Sequence, residues 1–132
     1  MCGVSGVLTR SDQGTGHSQR DLVTAMVSVL GHRGPDASGI WVSTSGRMAL
    51  GHTRLAIVDL SEAGSQPMTS SDGRWTITYN GELYNINDLR QSVDSVGWRG
   101  HSDTEVLVEH IARHGVPMTL RAAKGMFAFG CW

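Results

Sequence analysis

The irregular order of strand-like and helix-like segments along these 132 residues is the feature that most restricts the fold. Alternating apolar side chains predict strands, whereas apolar faces of 3.6-residue period flanked by caps predict helices. The predicted strands are 2–8, 39–43, 47–58, 74–80 and 126–132, the predicted helices are 18–30, 85–93 and 102–114, and the predicted loops are 32–39 and 59–73. A mixed order of this kind favours an α+β fold, in which helices pack on the faces of antiparallel sheets.

Two of the predicted helices begin with a capping-box pattern. Ser18 is followed by Asp21, and Ser102 is followed by Glu105, each at the spacing that lets two side chains satisfy two backbone N–H groups. The last predicted strand runs up to Trp132 without a turn residue, so we expect the chain to end inside its domain.

Composition restricts the partners. The chain is 39% hydrophobic, which suits a single domain with a core, and its net charge of -1 without a basic stripe argues against nucleic acid. No apolar run approaches the roughly 20 residues of a membrane span, and no signal peptide is evident, so a cytoplasmic location is expected. His110 and His114 have a helical i, i+4 spacing, but no Glu or Cys completes a set of ligands. We therefore expect no metal there, and a half-solvated helix face.

Cys2 is the candidate nucleophile. If Met1 is removed, residue 2 carries both a thiol and a free α-amine, which can serve as nucleophile and general base on one residue. An α-amine is substantially unprotonated near neutral pH. The second cysteine, Cys131, forms no disulfide framework with it and is expected to be a small buried apolar side chain in the last strand.

Five short polar segments, each flanked by glycine or at an element end, accompany this cysteine. They are MCGVSG (1–6), HRGPD (32–36), GHTRLAIVD (51–59), YNGELYN (79–85) and HSDTEV (101–106). Each alone has an ordinary structural explanation: Asn-Gly is a common hairpin turn, and an acid in the first turn of a helix is favoured by the helix dipole.

Taken together and in this order, the five segments resemble the class II glutamine amidotransferases. The closest resemblance is to the glutaminase domain of glutamine-hydrolysing asparagine synthetase, rather than to glucosamine-6-phosphate synthase or phosphoribosyl-pyrophosphate amidotransferase. The resemblance implies an N-terminal nucleophile hydrolase fold, a four-layer αββα sandwich with antiparallel sheets. It also implies that residues 1–132 are part of a type 2 amidotransferase domain, without the synthetase domain that follows it in the family.

The same resemblance implies hydrolysis of glutamine to glutamate and ammonia, with a role for each matching residue. Cys2 would form a γ-glutamyl thioester, and Asn80 and Gly81 would donate hydrogen bonds to the oxyanion. Arg54 would bind the α-carboxylate of glutamine, and Asp103 its α-ammonium group.

Further positions match the family less directly. Glu82 lies beside the expected oxyanion hole, and Ile57 and Val58 would line the glutamine pocket. No chemical role follows for the HRGPD segment. Lys124 stands where the family usually has Asp before Gly-Met-Phe-Ala, which puts the local packing in question.

For partners, the resemblance implies L-glutamine and the synthetase domain of the parent chain; a homodimer is compatible with the sequence, and nucleic acid and membranes are not expected. The glutaminase step needs no cofactor, whereas ATP and Mg²⁺ belong to the synthetase domain. The parent enzyme would make asparagine from aspartate. Three alternatives stay open: amidation of another carboxylate, a glutamine-binding domain without catalysis, and a fragment that is inactive because its sheet is incomplete.

Overall fold

A computed structural model describes residues 2–10, 18–56, 62–93 and 97–132. Two antiparallel sheets of three strands each form its centre, with strand orders β1-β3-β2 and β4-β5-β6. The strands are β1 Gly3–Leu8, β2 Ala37–Val42, β3 Met48–Arg54, β4 Met68–Thr69, β5 Thr76–Leu83 and β6 Gly125–Cys131. The helices are α1 Gln19–Val29, α2 Ile86–Gln91, α3 Asp103–His114 and α4 Val116–Ala122, and 3-10 turns occupy Leu30–Arg33 and Glu62–Gly64.

Helix α1 covers the outer face of the first sheet. Its capping box is confirmed, because Ser18 and Asp21 exchange both hydrogen bonds. Val23 and Val27 are buried against the sheet. A Cβ at Gly51 would lie within 2.7 Å of both valine side chains, so glycine at this point of β3 is what lets the helix approach the sheet so closely.

Helix α3 packs on the outer face of the second sheet, and α2 and α4 pack against α3. Burial of apolar side chains from β5 and α3 forms the larger core of the molecule. Its fully or nearly fully buried members are Met68, Ile77, Tyr79, Leu83, Leu89, Val106, Leu107, Val108 and Ile111. Cys131 lies in the last strand as predicted, but it is only partly buried against this core rather than buried.

The inner faces of the two sheets pack on each other, and two hydrogen bonds join β3 to β5. His52 Nε2 lies 3.2 Å from the carbonyl oxygen of Tyr79, and the Thr78 hydroxyl donates to the carbonyl oxygen of Gly51 at 3.0 Å. The layers therefore run helix, sheet, sheet, helix. This arrangement confirms the predicted αββα fold with antiparallel sheets.

Several predicted boundaries were wrong. The predicted strand 47–58 ends at Arg54, and β2 begins at Ala37, inside the predicted loop 32–39. The Asn80-Gly81 pair forms neither a turn nor a strand end, because β5 continues to Leu83. Strand β4 and helix α4 were missed. Strand β4 has only two residues and is defined by its pairing with β5, and the seven-residue helix α4 has a single buried side chain. Neither element therefore shows a periodic pattern of apolar residues in the sequence.

The second capping box is only half formed. The Ser102 hydroxyl accepts a hydrogen bond from the Glu105 N–H at 3.3 Å, as predicted. The Glu105 carboxylate, however, does not return to Ser102 and instead accepts from the backbone N–H groups of Arg99 at 2.7 Å and Gly100 at 2.9 Å. It therefore orders the segment that leads into α3 rather than the helix end itself.

The longest helix among the described residues has 12 residues, and none of these helices combines the length with the apolar character that a bilayer span requires.

The buried imidazole between the sheets makes stability depend on pH. Burial, with a smaller contribution from the positive charge of Arg54, lowers the pKa of His52 from 6.5 to about 4, against the raising effect of the hydrogen bond to Tyr79. The unfolded chain therefore takes up a proton near pH 6.5 and the folded chain only near pH 4, so stability falls as pH falls across that window. The full effect is about 3 kcal/mol in the free energy of unfolding.

We expect the variant H52Q to lack this component, whereas the effect of His110 remains in both proteins. Urea unfolding at intervals from pH 7 to pH 4 measures it as the difference between the two curves. Parallel curves across the window would contradict the assignment.

Candidate functional site

Cys2 lies at the head of β1, half-buried, at the end of the first sheet. The register pairs Gly3 with Thr53, so the next pair along the strands sets Cys2 opposite Arg54. The N–H of Leu55 points to the Cys2 Sγ at 3.4 Å, and the N–H of Gly3 donates to the Thr53 hydroxyl at 3.1 Å. The thiol is thus held at a defined position beside the last residue of β3.

The HRGPD segment forms hydrogen bonds with both chain segments at this position, the start of β1 and the end of β3. Arg33 Nε donates to the carbonyl oxygen of Cys2 at 3.2 Å. The carboxylate of Asp36 accepts from the N–H of Ala56 at 2.8 Å, and its own N–H donates to the carbonyl oxygen of Arg54 at 3.0 Å. The sequence did not reveal this role, because the partners lie 31 and about 20 residues away in the chain and no local pattern connects them.

Arg54 ends β3 on the same face of the sheet as His52, two residues before it, and this is the face that meets the second sheet. Arg54 is half-buried, and its positive charge contributes to lowering the pKa of His52. Ile57 and Val58, the other predicted pocket residues of this segment, lie outside the described residues.

Among the described residues, no strand pairs with one edge of β5 beyond residue 77. In an antiparallel ladder, successive residues direct their backbone N–H and C=O groups to opposite sides. Thr76 exchanges both bonds with Trp132 of the β6 segment, whereas the Tyr79 N–H turns the other way and donates to Gln66 Oε1 at 2.6 Å. The Leu83 N–H points to the same side of β5 as the Tyr79 N–H, away from β6. By this alternation the Gly81 N–H also points away from β6, to the side on which β4 pairs no further than residue 77.

Gly81 is required at this point of β5 for a reason that the sequence did not reveal. A Cβ there would lie 2.6 Å from the Cα of Phe127 on β6, and closer still to the Phe127 Cβ. A side chain would therefore push β6 away from the strand that carries Asn80. Asn80 itself is half-buried and lies on the inner face of β5, together with Thr78, whereas Gly81 and Glu82 are exposed.

Asp103 is brought to the same edge from helix α3. Its Oδ2 accepts from the Leu83 N–H at 2.6 Å and from the Tyr79 hydroxyl at 3.4 Å. Burial raises the pKa of Asp103, and the nearby negative charge of Glu82 raises it further, against the lowering effect of both hydrogen bonds. A carboxylate in this condition would be stabilised by a bound cation such as an ammonium group.

The structure thus connects the predicted residues through a continuous series of contacts. Cys2 contacts Leu55 next to Arg54 on the first sheet, the His52–Tyr79 bond joins that sheet to β5, and β5 leads past Gly81 to Leu83 and Asp103. These contacts connect the elements that carry the thiol, the guanidinium, the amide side chain and the carboxylate.

The histidine pair on α3 is explained by local hydrogen bonds. His110 Nδ1 contacts the Thr119 hydroxyl at 2.8 Å, and His114 Nε2 contacts the carbonyl oxygen of Ser92 at 3.2 Å. The prediction of a half-solvated face was wrong for His110, which α4 covers and which is 4% exposed. Within the described ranges, no group of three His, Cys, Asp or Glu side chains could hold a metal ion.

The raised pKa of Asp103 predicts a gain in stability on neutralisation. As pH rises above about 3.8, the unfolded chain loses this proton before the folded chain does, so the ionised carboxylate costs stability at pH 7. The variant D103N keeps an oxygen to accept from the Leu83 N–H and should unfold at higher urea than wild type at pH 7. The difference should vanish at pH 3.

Asp72 provides a matched control of opposite sign. Hydrogen bonds from Ser70 and Arg74 lower its pKa to about 2, so D72N should lose stability at pH 7. A D103N chain less stable than wild type at neutral pH would contradict the assignment.

Comparison with known proteins identifies the family to which this fold and site belong. The glutamine amidotransferase domain family matches residues 1–132. The chain is 35% identical over 134 residues to the glutamine-hydrolyzing asparagine synthetase 1 of Bacillus subtilis, covering 100% of this chain and 21% of that enzyme. It is 33% identical over 144 residues to the amidase chry2 of Gibberella zeae, again covering 100% of this chain and 21% of the relative.

A solved structure shows the same fold. The glutamine phosphoribosylpyrophosphate amidotransferase of B. subtilis, complexed with ADP and GMP, superposes with a TM-score of 0.72 at 24% identity. The match covers 98% of this chain and 34% of that chain. Together with the family match over every residue, this places the chain in the class II glutamine amidotransferase domain family.

Proposed function

We propose that this chain hydrolyses L-glutamine to glutamate and ammonia, with Cys2 as nucleophile. The observation that carries the proposal is the open edge of β5 at Gly81, set between the sheet end that holds Cys2 and Arg54 and the helix start that holds Asp103. An edge N–H beside an amide side chain is what an oxyanion requires.

In the first half of the reaction, the Cys2 thiolate attacks the side-chain carboxamide carbon of glutamine. A C–S bond forms, and the carbonyl electron pair moves to oxygen, where the Asn80 amide and the Gly81 N–H donate hydrogen bonds. As the C–N bond breaks, the protonated α-amine of Cys2 gives its proton to the departing nitrogen. Ammonia leaves, and a γ-glutamyl thioester remains.

In the second half, the α-amine, now neutral, takes a proton from water as that water attacks the thioester carbon. The tetrahedral intermediate uses the same two donors, and the C–S bond breaks to release glutamate and the thiolate. The mechanism requires removal of Met1, because an acylated amine has no basic lone pair.

Binding at the two ends of glutamine orients it for this attack. The Arg54 guanidinium suits the α-carboxylate through two parallel hydrogen bonds. Asp103 suits the α-ammonium, because a bound cation would relieve the cost of burying its carboxylate. Glu82 adds negative charge on the same side, and Ile57 and Val58 complete the pocket wall in this proposal.

We further propose that the ammonia serves an ATP-dependent amidation in the parent protein, with aspartate as acceptor and asparagine as product. The similarity to asparagine synthetases over the whole chain supports this proposal. The chain spans 21% of the length of these relatives. ATP and Mg²⁺ would be bound by the synthetase domain of the parent, and the glutaminase step uses neither.

A second acceptor class has its own support. Two of the most similar relatives are fungal amidases, chry2 of G. zeae and chyE of Penicillium rubens, at 33% and 34% identity. A parent enzyme that amidates another carboxylate would use the same glutaminase site.

The glutaminase proposal predicts selective alkylation of Cys2. The glutamine analogue 6-diazo-5-oxo-L-norleucine should add once to a chain that lacks Met1, with loss of N₂, and excess glutamine should block it. Intact mass and peptide mapping measure the adduct, and C2A is the control. Turnover is followed as glutamate release. Labelling that glutamine does not block, in a folded chain, would contradict a glutamine pocket, and a protected adduct without glutamate release would identify a binding domain.

The acceptor proposal predicts transfer of the amide nitrogen. The full-length protein supplied with ATP, Mg²⁺, aspartate and glutamine labelled with ¹⁵N in the amide should yield ¹⁵N-asparagine, and C2A should yield it only when ammonia replaces glutamine. Glutamate release without asparagine, in a protein that still consumes ATP with another carboxylate, would favour the second acceptor class.

A further inference from the structure

His52 is a buried titratable side chain that the proposed mechanism does not use. It is 1% exposed, and it lies between the sheets with Nε2 3.2 Å from the carbonyl oxygen of Tyr79. A carbonyl oxygen can only accept a hydrogen bond, so the proton of the neutral ring is on Nε2 and His52 is the donor. Nδ1 has no hydrogen-bond partner among the described residues.

The Tyr79 carbonyl, which accepts the hydrogen bond from His52, belongs to the Tyr79–Asn80 peptide unit. At this point no strand in the described part of the chain lies on that side of β5, because β4 pairs only with Thr76 and Ile77. Side chains take the place of the strand. Gln66 Oε1 accepts from the Tyr79 N–H at 2.6 Å, and His52 donates to the Tyr79 carbonyl.

Both substitute partners are themselves fixed. Gln66 Nε2 donates to the Thr104 hydroxyl at 3.0 Å, at the start of α3, and His52 belongs to the central strand of the first sheet. The backbone immediately before Asn80 is therefore held from the helix layer on one side and from the opposite sheet on the other. Beyond it, the next group on this edge is the Gly81 N–H.

We propose that His52 is a positioning residue of the glutaminase site, which orients the Asn80 and Gly81 donors by holding the Tyr79 carbonyl. This inference rests on the proposed function. Fixing the Tyr79–Asn80 peptide plane sets the direction in which the Asn80 side chain leaves the strand and the tilt of the next peptide, which carries the Gly81 N–H. Misplacement of such donors by even an ångström is costly to the transition state.

A second hydrogen bond provides a matched control. The Thr78 hydroxyl donates to the Gly51 carbonyl at 3.0 Å and joins the same two strands one residue earlier on each. The Thr78 side chain is also buried, but its hydroxyl bonds to the backbone of β3 and does not contact the Tyr79–Asn80 peptide. If His52 only helps to hold the two sheets together, loss of either hydrogen bond should have a similar effect on kcat. If His52 positions the donors, only loss of the His52 bond should lower kcat.

The test compares H52L, H52Q and T78V in the full chain, by steady-state glutamate release and by the rate of inactivation with 6-diazo-5-oxo-L-norleucine, whose ketone oxygen meets the same donors. We expect H52L to lower kcat about 10- to 100-fold with KM changed less than about three-fold. H52Q, whose amide N–H reaches the same carbonyl, should recover most of kcat. T78V should keep the wild-type kcat whatever its melting temperature.

Equal losses of kcat in H52L and T78V, or a folded H52L with wild-type kcat, would overturn the positioning role. If H52L does not fold, H52N replaces it: its shorter amide fails to reach the Tyr79 carbonyl, and we expect the same loss of kcat. A wild-type chain, free of Met1, that neither hydrolyses glutamine nor is labelled at Cys2 would instead overturn the proposed function, and this inference with it.

Discussion

The shortness of β4 is the constraint on which the site depends. A strand inside a sheet satisfies its backbone groups on both sides, and an open edge invites pairing with another chain. Here β4 pairs with only two residues of β5. The backbone groups further along this edge of β5 have partners other than a strand. Side chains take the groups at Tyr79 and Leu83, and the Gly81 N–H lies between them. A full-length β4 would have satisfied that N–H and removed the donor that the proposed reaction needs.

The electrostatics of this region follow from placing charged groups between packed layers. Burial holds His52 neutral and raises the pKa of Asp103, so each group departs from its ordinary behaviour in the direction that desolvation imposes. For His52 the neutral ring supplies a donor without adding positive charge beside Arg54. For Asp103, a cation bound beside the carboxylate would offset the cost of burying its charge. At neutral pH the cost in stability falls mainly on Asp103, because His52 is largely neutral in the unfolded chain as well.

The sequence predicted the fold class and most elements, because β-branched alternation and the Ser18 cap are local signals. It also predicted Cys2, Arg54, Asn80, Gly81 and Asp103 as one site; contacts connect the elements that carry these residues, and the site itself stays a prediction. Those predictions came from five ordered segments that resemble one family, since no single segment carries enough information.

What the sequence could not predict was set by long-range contacts. The strand ends at Arg54 rather than at residue 58, and Asn80-Gly81 continues a strand despite its strong turn preference, because pairing with β6 outweighs local propensity. Lys124 gave cause to doubt the packing. Its hydrogen bonds with described residues are made by the backbone, whose N–H donates to Asn85 Oδ1 and whose carbonyl accepts from the Tyr84 N–H, and its side chain is exposed.

An N-terminal nucleophile has a covalent neighbour on one side only, so noncovalent contacts must supply the restraint that a preceding residue gives elsewhere. In the proposed enzyme, Arg33 holds the Cys2 carbonyl, Leu55 meets its sulfur, and the next N–H is held by Thr53. Thr53 in turn donates to the carbonyl of Leu30, at the start of the turn that carries Arg33. The turn, β3 and the start of β1 therefore restrain one another. This mutual restraint gives the HRGPD segment and Thr53 of the GHTR segment a structural role beside Cys2, separate from the roles proposed for His52 and Arg54.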